Sequence, residues 1–206
     1  MPKLIDLSHL LQDETPAYPG DRPCHLMQIK SAERDGYTSF SLSTGLHAGT
    51  HLDAPLHFVA KGAMVKDLAL ETFIGRGRLI DVRGEAVVGY KPEYASLVET
   101  GDIVLLWTDH SKRYGTAGYY GEHPVLTDEL ADFLITSGVK LLGLDFPSPD
   151  RMPFAVHKKL LGAGIPLIEN LTNLAGLAGL NHFEIMAFPL KIGAEGSPVR
   201  VVAKIM

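Results

Sequence analysis

The chain has 206 residues, 46% of them hydrophobic and 21% charged, ordinary globular usage that is enough to bury a core, so one domain over residues 1–206 is expected. A formal net charge of −5 exerts no general pull toward nucleic acid or an anionic membrane and leaves small molecules as the expected partners. With Cys24 the sole cysteine, an internal disulfide and a multi-thiolate zinc site are excluded, so metal ligands must be His, Asp or Glu.

The opening MPKLIDLSHLLQDETP has no basic region followed by an apolar core, and no run of about 18 apolar residues occurs anywhere; a cytoplasmic location is expected. KLIDLS alternates as a short strand, and residues 13 to 23 hold three prolines and the turn pair Pro19-Gly20. CHLMQIKSAE reads as a second strand. Phe40, Leu42, Thr44 and Leu46 share one side at period 2, which predicts a strand running directly into a histidine-rich stretch. Buried strands are then predicted at RLIDV (78–82), DIVLLWT (102–108), VKLLGLDF (139–146) and IPLIE (165–169). Helices fall between them: KPEYASLVETG, then TDELADFLITSG with Thr127 as N-cap and Gly138 as stop, then the shorter AVHKKLLGAG. Two further strands joined by a glycine-containing loop are predicted from Phe183 to Leu190 and from Pro198 to Ile205. Strands alternating with helices argue an α/β fold with antiparallel pairs at the termini.

The run HAGTHLDAPLH, residues 47 to 57, carries the chemistry. His47, His51, Asp53 and His57 all fall on odd positions, so an extended chain points them to one face. A straight strand nevertheless sets His47 and His51 roughly 13 Å apart, too far for two bonds of about 2 Å to one ion. The chain must bend, and Gly49 and Pro55 supply the means; a helix with the histidines at i and i+4 fits less well, because Gly49 would lie inside it. A single histidine usually satisfies a turn, but three imidazoles and a carboxylate within 11 residues point to a divalent ion. His157, on the third helix, and Glu169, after four apolar residues, form a second pair, although a surface histidine and a capping carboxylate would look the same. Asp109, His110 and His123 read as loop residues lining or covering a pocket. Nucleophilic catalysis has little support: Cys24 neighbours only His25, and no GxSxG occurs.

With these residues assembled, the sequence resembles the cyclase-like metal-dependent hydrolases, a family that includes bacterial kynurenine formamidase and isatin hydrolase. The pattern HxGTHxDxPxH matches without a gap, and the likeness extends through DLSH at Asp6, Tyr18-Pro19-Gly20-Asp21, GLDFPSPD at 143–150, HKKLLGAGIPLIEN and FPLKIGAEGSPVRVVA. The resemblance implies a swivelling β/β/α fold and a homodimer or higher homo-oligomer. It implies a first metal on His47, His51 and Asp53, with Asp53 bridging to a second on His157 and Glu169; the implied cofactors are two Zn²⁺, or Mn²⁺ as in isatin hydrolases. His57 is implied as the proton shuttle. The activity implied is hydrolysis of an aryl formamide, N-formylkynurenine, by metal-activated water. Tyr18, where formamidases often have tryptophan, and Phe146 are expected to pack on the aromatic ring or else to be plain core or turn residues. Ring opening of another cyclic amide or ester, and a non-catalytic metal-stabilised binding protein, are the competing readings.

Overall fold

The computed structural model describes residues 3–205; Met1, Pro2 and Met206, at the ends of the expected 1–206 domain, lie outside them. The first strands are β1 (Lys3–Asp6), β2 (His25–Lys30), β3 (Ser39–Ser43) and β4 (His51–Asp53), with the single-turn helix α1 (Ala32–Asp35) between β2 and β3. There follow β5 (Ile74–Asp81), β6 (Val87–Val88), a one-turn α2 (Tyr94–Leu97), β7 (Ile103–Trp107) and β8 (Val125–Leu126). Helix α3 (Asp128–Thr136), β9 (Leu141–Leu144), helix α4 (Ala155–Gly162) and β10 (Leu167–Glu169) come next. After them come β11 (Phe183–Met186), β12 (Gly196–Pro198) and β13 (Val202–Ile205). No helix among the described residues is long and apolar enough to cross a membrane.

Nine strands form one curled sheet in the order β1-β13-β11-β5-β7-β9-β10-β4-β12. Its centre, from β5 to β10, is parallel, and antiparallel pairs flank it on both sides. The architecture is the mixed α/β fold the alternation of elements predicts. Central strands are continuous apolar runs because both faces are covered. Along β7, Val104 and Leu106 face a core shared with Leu130 and Leu134 of α3 and Leu160 and Leu161 of α4. Ile103, Leu105 and Trp107 face a second core with Leu52, Ile168, Phe183 and Ile185. The second core is closed by the sheet itself: beyond β1, Leu7 donates to Val201 O and accepts from Thr172 N, each at 2.9 Å, so one flank of the sheet meets the segment after β10.

Three expectations are corrected. β3 stops at Ser43, and Thr44–Thr50 form turns; Phe40 and Leu42 are about half exposed because β2 and β3 pair only with each other and stand off the main sheet. The helix predicted in KPEYASLVETG is a single turn, since Val98 turns extended and buries its side chain in the same core as Tyr94. The last predicted strand is two: β12 pairs with β4 at the sheet edge, where Pro198 lacks no needed donor, and the chain then crosses to β13. Helix α3 starts as expected, with the Thr127 hydroxyl accepting from Leu130 N.

Gly77 on β5 lies under Phe183 of the neighbouring β11: a Cβ built there would collide with Phe183 Cε2 and stand 2.9 Å from Ile185 Cγ1. Gly77→Ala should therefore cost about 1–3 kcal/mol by overpacking, seen as a lower urea midpoint with unchanged slope. An unchanged midpoint would mean that the Phe183 ring moves aside freely.

Candidate functional site

Three elements of the sheet and one helix assemble the site. Strand β4 lies between β10 and β12, with His51 opposite Glu169 and Asp53 opposite Leu167. Because side chains alternate along a strand, His51 and Asp53 share a face, and Glu169 joins them from the antiparallel neighbour. His47 precedes β4 in the turn that Gly49 makes at φ +66°, a left-handed angle natural to glycine. After β4, a 3-10 turn (Pro55–His57) folds His57 back so that its ring centroid lies 4.3 Å from that of His47. Helix α4 lowers His157 onto the same place, 6.0 Å from His57 between ring centroids.

Asp53 sits at the middle. Its Oδ1 is 2.7 Å from His47 Nδ1 and 3.5 Å from His51 Nε2, and its Oδ2 is 3.6 Å from His157 Nε2. Glu169 reaches both sides, with Oε2 3.4 Å from His51 Nε2 and Oε1 3.2 Å from His157 Nε2. Two three-residue groups result, His47–His51–Asp53 and Asp53–His157–Glu169, each offering ligand atoms within 4.8 Å of one another. His51, Asp53, His157 and Glu169 are all buried. His47 Nε2, His51 Nε2, His157 Nε2, Asp53 Oδ1 and Glu169 Oε1 are shielded from solvent without an aligned hydrogen-bond partner. Native structures rarely leave such atoms unpaired, and five converging imidazole nitrogens and carboxylate oxygens suit a divalent cation.

The remaining imidazole nitrogens are held from behind. His51 Nδ1 donates to Gly49 O at 2.9 Å, which directs Nε2 inward, because a carbonyl can only accept. His157 Nδ1 bonds Asp150 Oδ1 at 3.0 Å, while Asp150 Oδ2 accepts from Val156 N and His157 N at the start of α4. His47 is placed differently: its Nδ1 faces Asp53 Oδ1, and Glu195 Oε1 lies 3.5 Å from its unpaired Nε2. Asn170 donates to Gly49 O at 2.9 Å and accepts from Tyr119 Oη at 2.7 Å.

Charge balance follows the geometry. Burial would raise Asp53, but His51 and His47 hold it well below the usual carboxylate range. Burial likewise disfavours a charged His47, yet Asp53, Glu169 and Glu195 push it up to about 9. His157 is also raised well above its ordinary value against its burial, by Asp150, Asp53 and Glu169. For His57 burial prevails and the ring is held below its ordinary value, neutral near pH 7.

A cavity of about 220 Å³ opens above these groups, bounded by His57, Phe58, Phe154, Tyr18, Tyr120 and Ser148 among others. Phe58 lies 5.3 Å from Phe154 and 4.7 Å from His157 between ring centroids, and Tyr18 meets Tyr120 edge-on at 5.5 Å. The structure thus brings together His47, His51, Asp53, His57, His157, Glu169 and Tyr18. Phe146 does not join them. At period 2 its side chain follows Leu142 and Leu144 into the helix-facing core, where it is fully buried. His110 and His123 are buried beside the loop before β8, bonded to Tyr119 O and Pro124 O, and neither lines this cavity. Cys24 is buried elsewhere, its thiol on Gln12 O. Sequence reasoning missed Asp150, Asn170, Glu195, Phe58, Phe154 and Tyr120; only Asp150, a carboxylate just ahead of the His157 helix, carried a readable sign of a capping partner.

Comparison with known proteins places this geometry. The Cyclase family model matches residues 5–151. The kynurenine formamidase of Bacillus thuringiensis subsp. konkukian (strain 97-27) is 34% identical over 211 residues, covering 97% of this chain and 96% of that protein. The Bacillus anthracis kynurenine formamidase is 33% identical over 98% and 97% of the two chains. Among solved structures, isatin hydrolase A from Labrenzia aggregata bound to benzyl benzoate superposes with a TM-score of 0.85 at 28% identity, covering 99% of this chain and 94% of that one. Isatin hydrolase A from Ralstonia solanacearum gives 0.89 at 25% identity, over 100% and 92%. The chain belongs to the Cyclase family and is a metal-dependent hydrolase of that family.

Proposed function

We propose that this protein is a kynurenine formamidase, hydrolysing N-formylkynurenine to kynurenine and formate, with His57 as its proton-transfer residue. The observation that carries this reading is the junction of two three-residue ligand groups through Asp53 beneath an aromatic-walled cavity with His57 on its wall. Likeness to kynurenine formamidases over 97% of the chain supports the formamide substrate. His47, His51 and Asp53 would hold one divalent ion and Asp53, His157 and Glu169 a second, zinc by preference, with manganese equally compatible with mixed nitrogen and oxygen ligands. A metal bound there supplies acidity to a coordinated water and positive charge beside a carbonyl oxygen. The apolar faces of Phe58 and Phe154 pack the substrate ring and exclude bulk water, while Tyr18 borders the opposite wall. His57, neutral at pH 7, takes the water proton on its imidazole and returns it to the aniline nitrogen as the C–N bond breaks. We further read the protein as a cytoplasmic homodimer or higher homo-oligomer that contacts neither nucleic acid nor membrane; the exposed Met27, Ile29, Phe40 and Leu42 of β2 and β3 support self-association.

Ring opening of a cyclic amide is the second reading, favoured by the superposition on isatin hydrolases. A panel of N-formylkynurenine, formanilide, isatin and an aliphatic lactone, run at equal metal loading and after chelation, separates the two. The formamides should exceed kcat/KM of about 10⁴ M⁻¹s⁻¹ and outrun isatin, and chelation should abolish turnover. Preference for isatin or the lactone would transfer the assignment to ring opening.

His57→Ala should keep its metal by elemental analysis and lose about 10²- to 10⁴-fold in kcat. Loss of metal from that variant would make His57 a ligand.

Metal removal should be felt through His47. A histidine raised to about 9 from an ordinary value of about 6.5 stabilises the metal-free fold below about pH 6.5, and that contribution disappears as pH rises through about 9. The metal-free protein should therefore lose Tm between about pH 6.5 and 9, and the gain in Tm on adding Zn²⁺ should grow over the same window, because the ion no longer competes with a proton. A metal-free Tm that climbs across this window would contradict the arrangement of charges.

A further inference from the structure

The Tyr120 hydroxyl is shielded from solvent, borders the cavity and has no hydrogen-bond partner among the described residues. Two polar side chains near it are engaged: Ser148 Oγ lies 3.4 Å from His157 Nδ1, and the Asn170 side chain is used by Tyr119 and Gly49; Asp21 also borders the cavity, as an acceptor that does not bond this hydroxyl. A buried donor left unpaired loses its hydration without return, a loss that a ligand acceptor would recover. Burial pushes the phenol well above its ordinary titration range, so at neutral pH it keeps its proton and serves as a donor.

The ring is not free to wander. Tyr120 meets Tyr119 edge-on at 5.0 Å and Tyr18 at 5.5 Å. Tyr119 is fully buried and doubly anchored, its hydroxyl on Asn170 Oδ1 and its carbonyl on His110 Nε2 at 2.8 Å. Asn170 directly follows Glu169, so the same backbone that presents a carboxylate to the candidate metal groups fixes the position of this donor. Such support from behind is what a recognition group needs to act at a set distance from the reacting bond.

Resting on the formamidase reading, we propose that Tyr120 is a specificity-determining residue whose hydroxyl donates a hydrogen bond to a second carbonyl of the substrate, one placed ortho to the anilide nitrogen. The reasoning is by allocation. The scissile carbonyl belongs at the ligand groups and the ring between apolar faces, which leaves the phenol for an acceptor held close to the scissile group by the ring. An ortho-acyl anilide has that acceptor in a rigid position, and a plain formanilide lacks it. A site that aims a buried donor at a substrate oxygen discriminates against the analogue without it, because the donor is then left unpaired.

The test compares formanilide with 2′-formamidoacetophenone, using wild-type enzyme and Tyr120→Phe at equal metal content. Wild type should favour the ortho-acyl substrate, and Tyr120→Phe should lower its kcat/KM about tenfold or more while changing formanilide less than about threefold. Calorimetric binding of the products, 2′-aminoacetophenone against aniline, should show the same selective loss without turnover. Equal loss on both substrates, or no loss on either, overturns the assignment of Tyr120 and leaves the formamidase reading standing. Failure of wild type to cleave either formamide overturns both.

Discussion

Asp53 is a carboxylate about 1% exposed, with one oxygen turned to His47 and His51 and the other toward His157. Removing an ionised carboxylate from water is unfavourable by far more than one hydrogen bond returns, so its surroundings must supply positive charge. His47 and His157, both raised against their burial, supply it, and His51 shares a second carboxylate, Glu169, with His157. Five mutually dependent ionisable groups at the centre of a fold make a poor stabilising core and a good cation site. The unpaired nitrogens and oxygens among them are the form this takes in the protein alone.

The sheet makes this concentration of charge tolerable by surrounding it with two apolar cores on opposite faces. Parallel strands at the centre carry the helices that fill one core, and the curl of the antiparallel flanks closes the other. β4 enters antiparallel to β10 at the side of that parallel centre, so its ligands meet Glu169 at the carboxyl end of β10. That is the end of an open α/β sheet where helices and loops leave room for ligands. α4 completes the site from the same end, because it precedes β10 and starts near the Asp150 carboxylate that caps it.

Around the central groups, one layer fixes direction and another fixes access. Gly49 O and Asp150 each bond the outward nitrogen of one histidine, so His51 and His157 are oriented by two different parts of the chain, while His47 is placed by its contact with Asp53. Phe58 and Phe154 cover His157, while the Tyr119–Tyr120 loop is tied to Asn170. Orientation is thus built into strands and helix ends, and the cavity wall into loops, the division expected when chemistry is shared among relatives and substrates differ.

How much of this was legible depends on the range of the interactions. The spacing of His47, His51, Asp53 and His57 is local, and it exposed both the common face and the need for a bend, which the structure realises as a turn, a three-residue strand and a 3-10 turn. The central strands were legible as apolar runs, and α3 by its Thr127 cap. His157 and Glu169 stood out as a weak second pair, Glu169 by following an apolar run, but nothing local joins them to residue 53; the pairing of Glu169 with His51 across β10 and β4 does so. For Phe146, open in the sequence between ring packing and core, strand alternation decides for the core, and nothing local marks Tyr120, whose hydroxyl is isolated by the packing of Tyr18, Tyr119 and Asn170. Local spacing and hydrophobic period determine which residues share a face, and they are written in the sequence. Which faces meet is decided by sheet order and curl, because strand register and burial depend on partners more than 100 positions away.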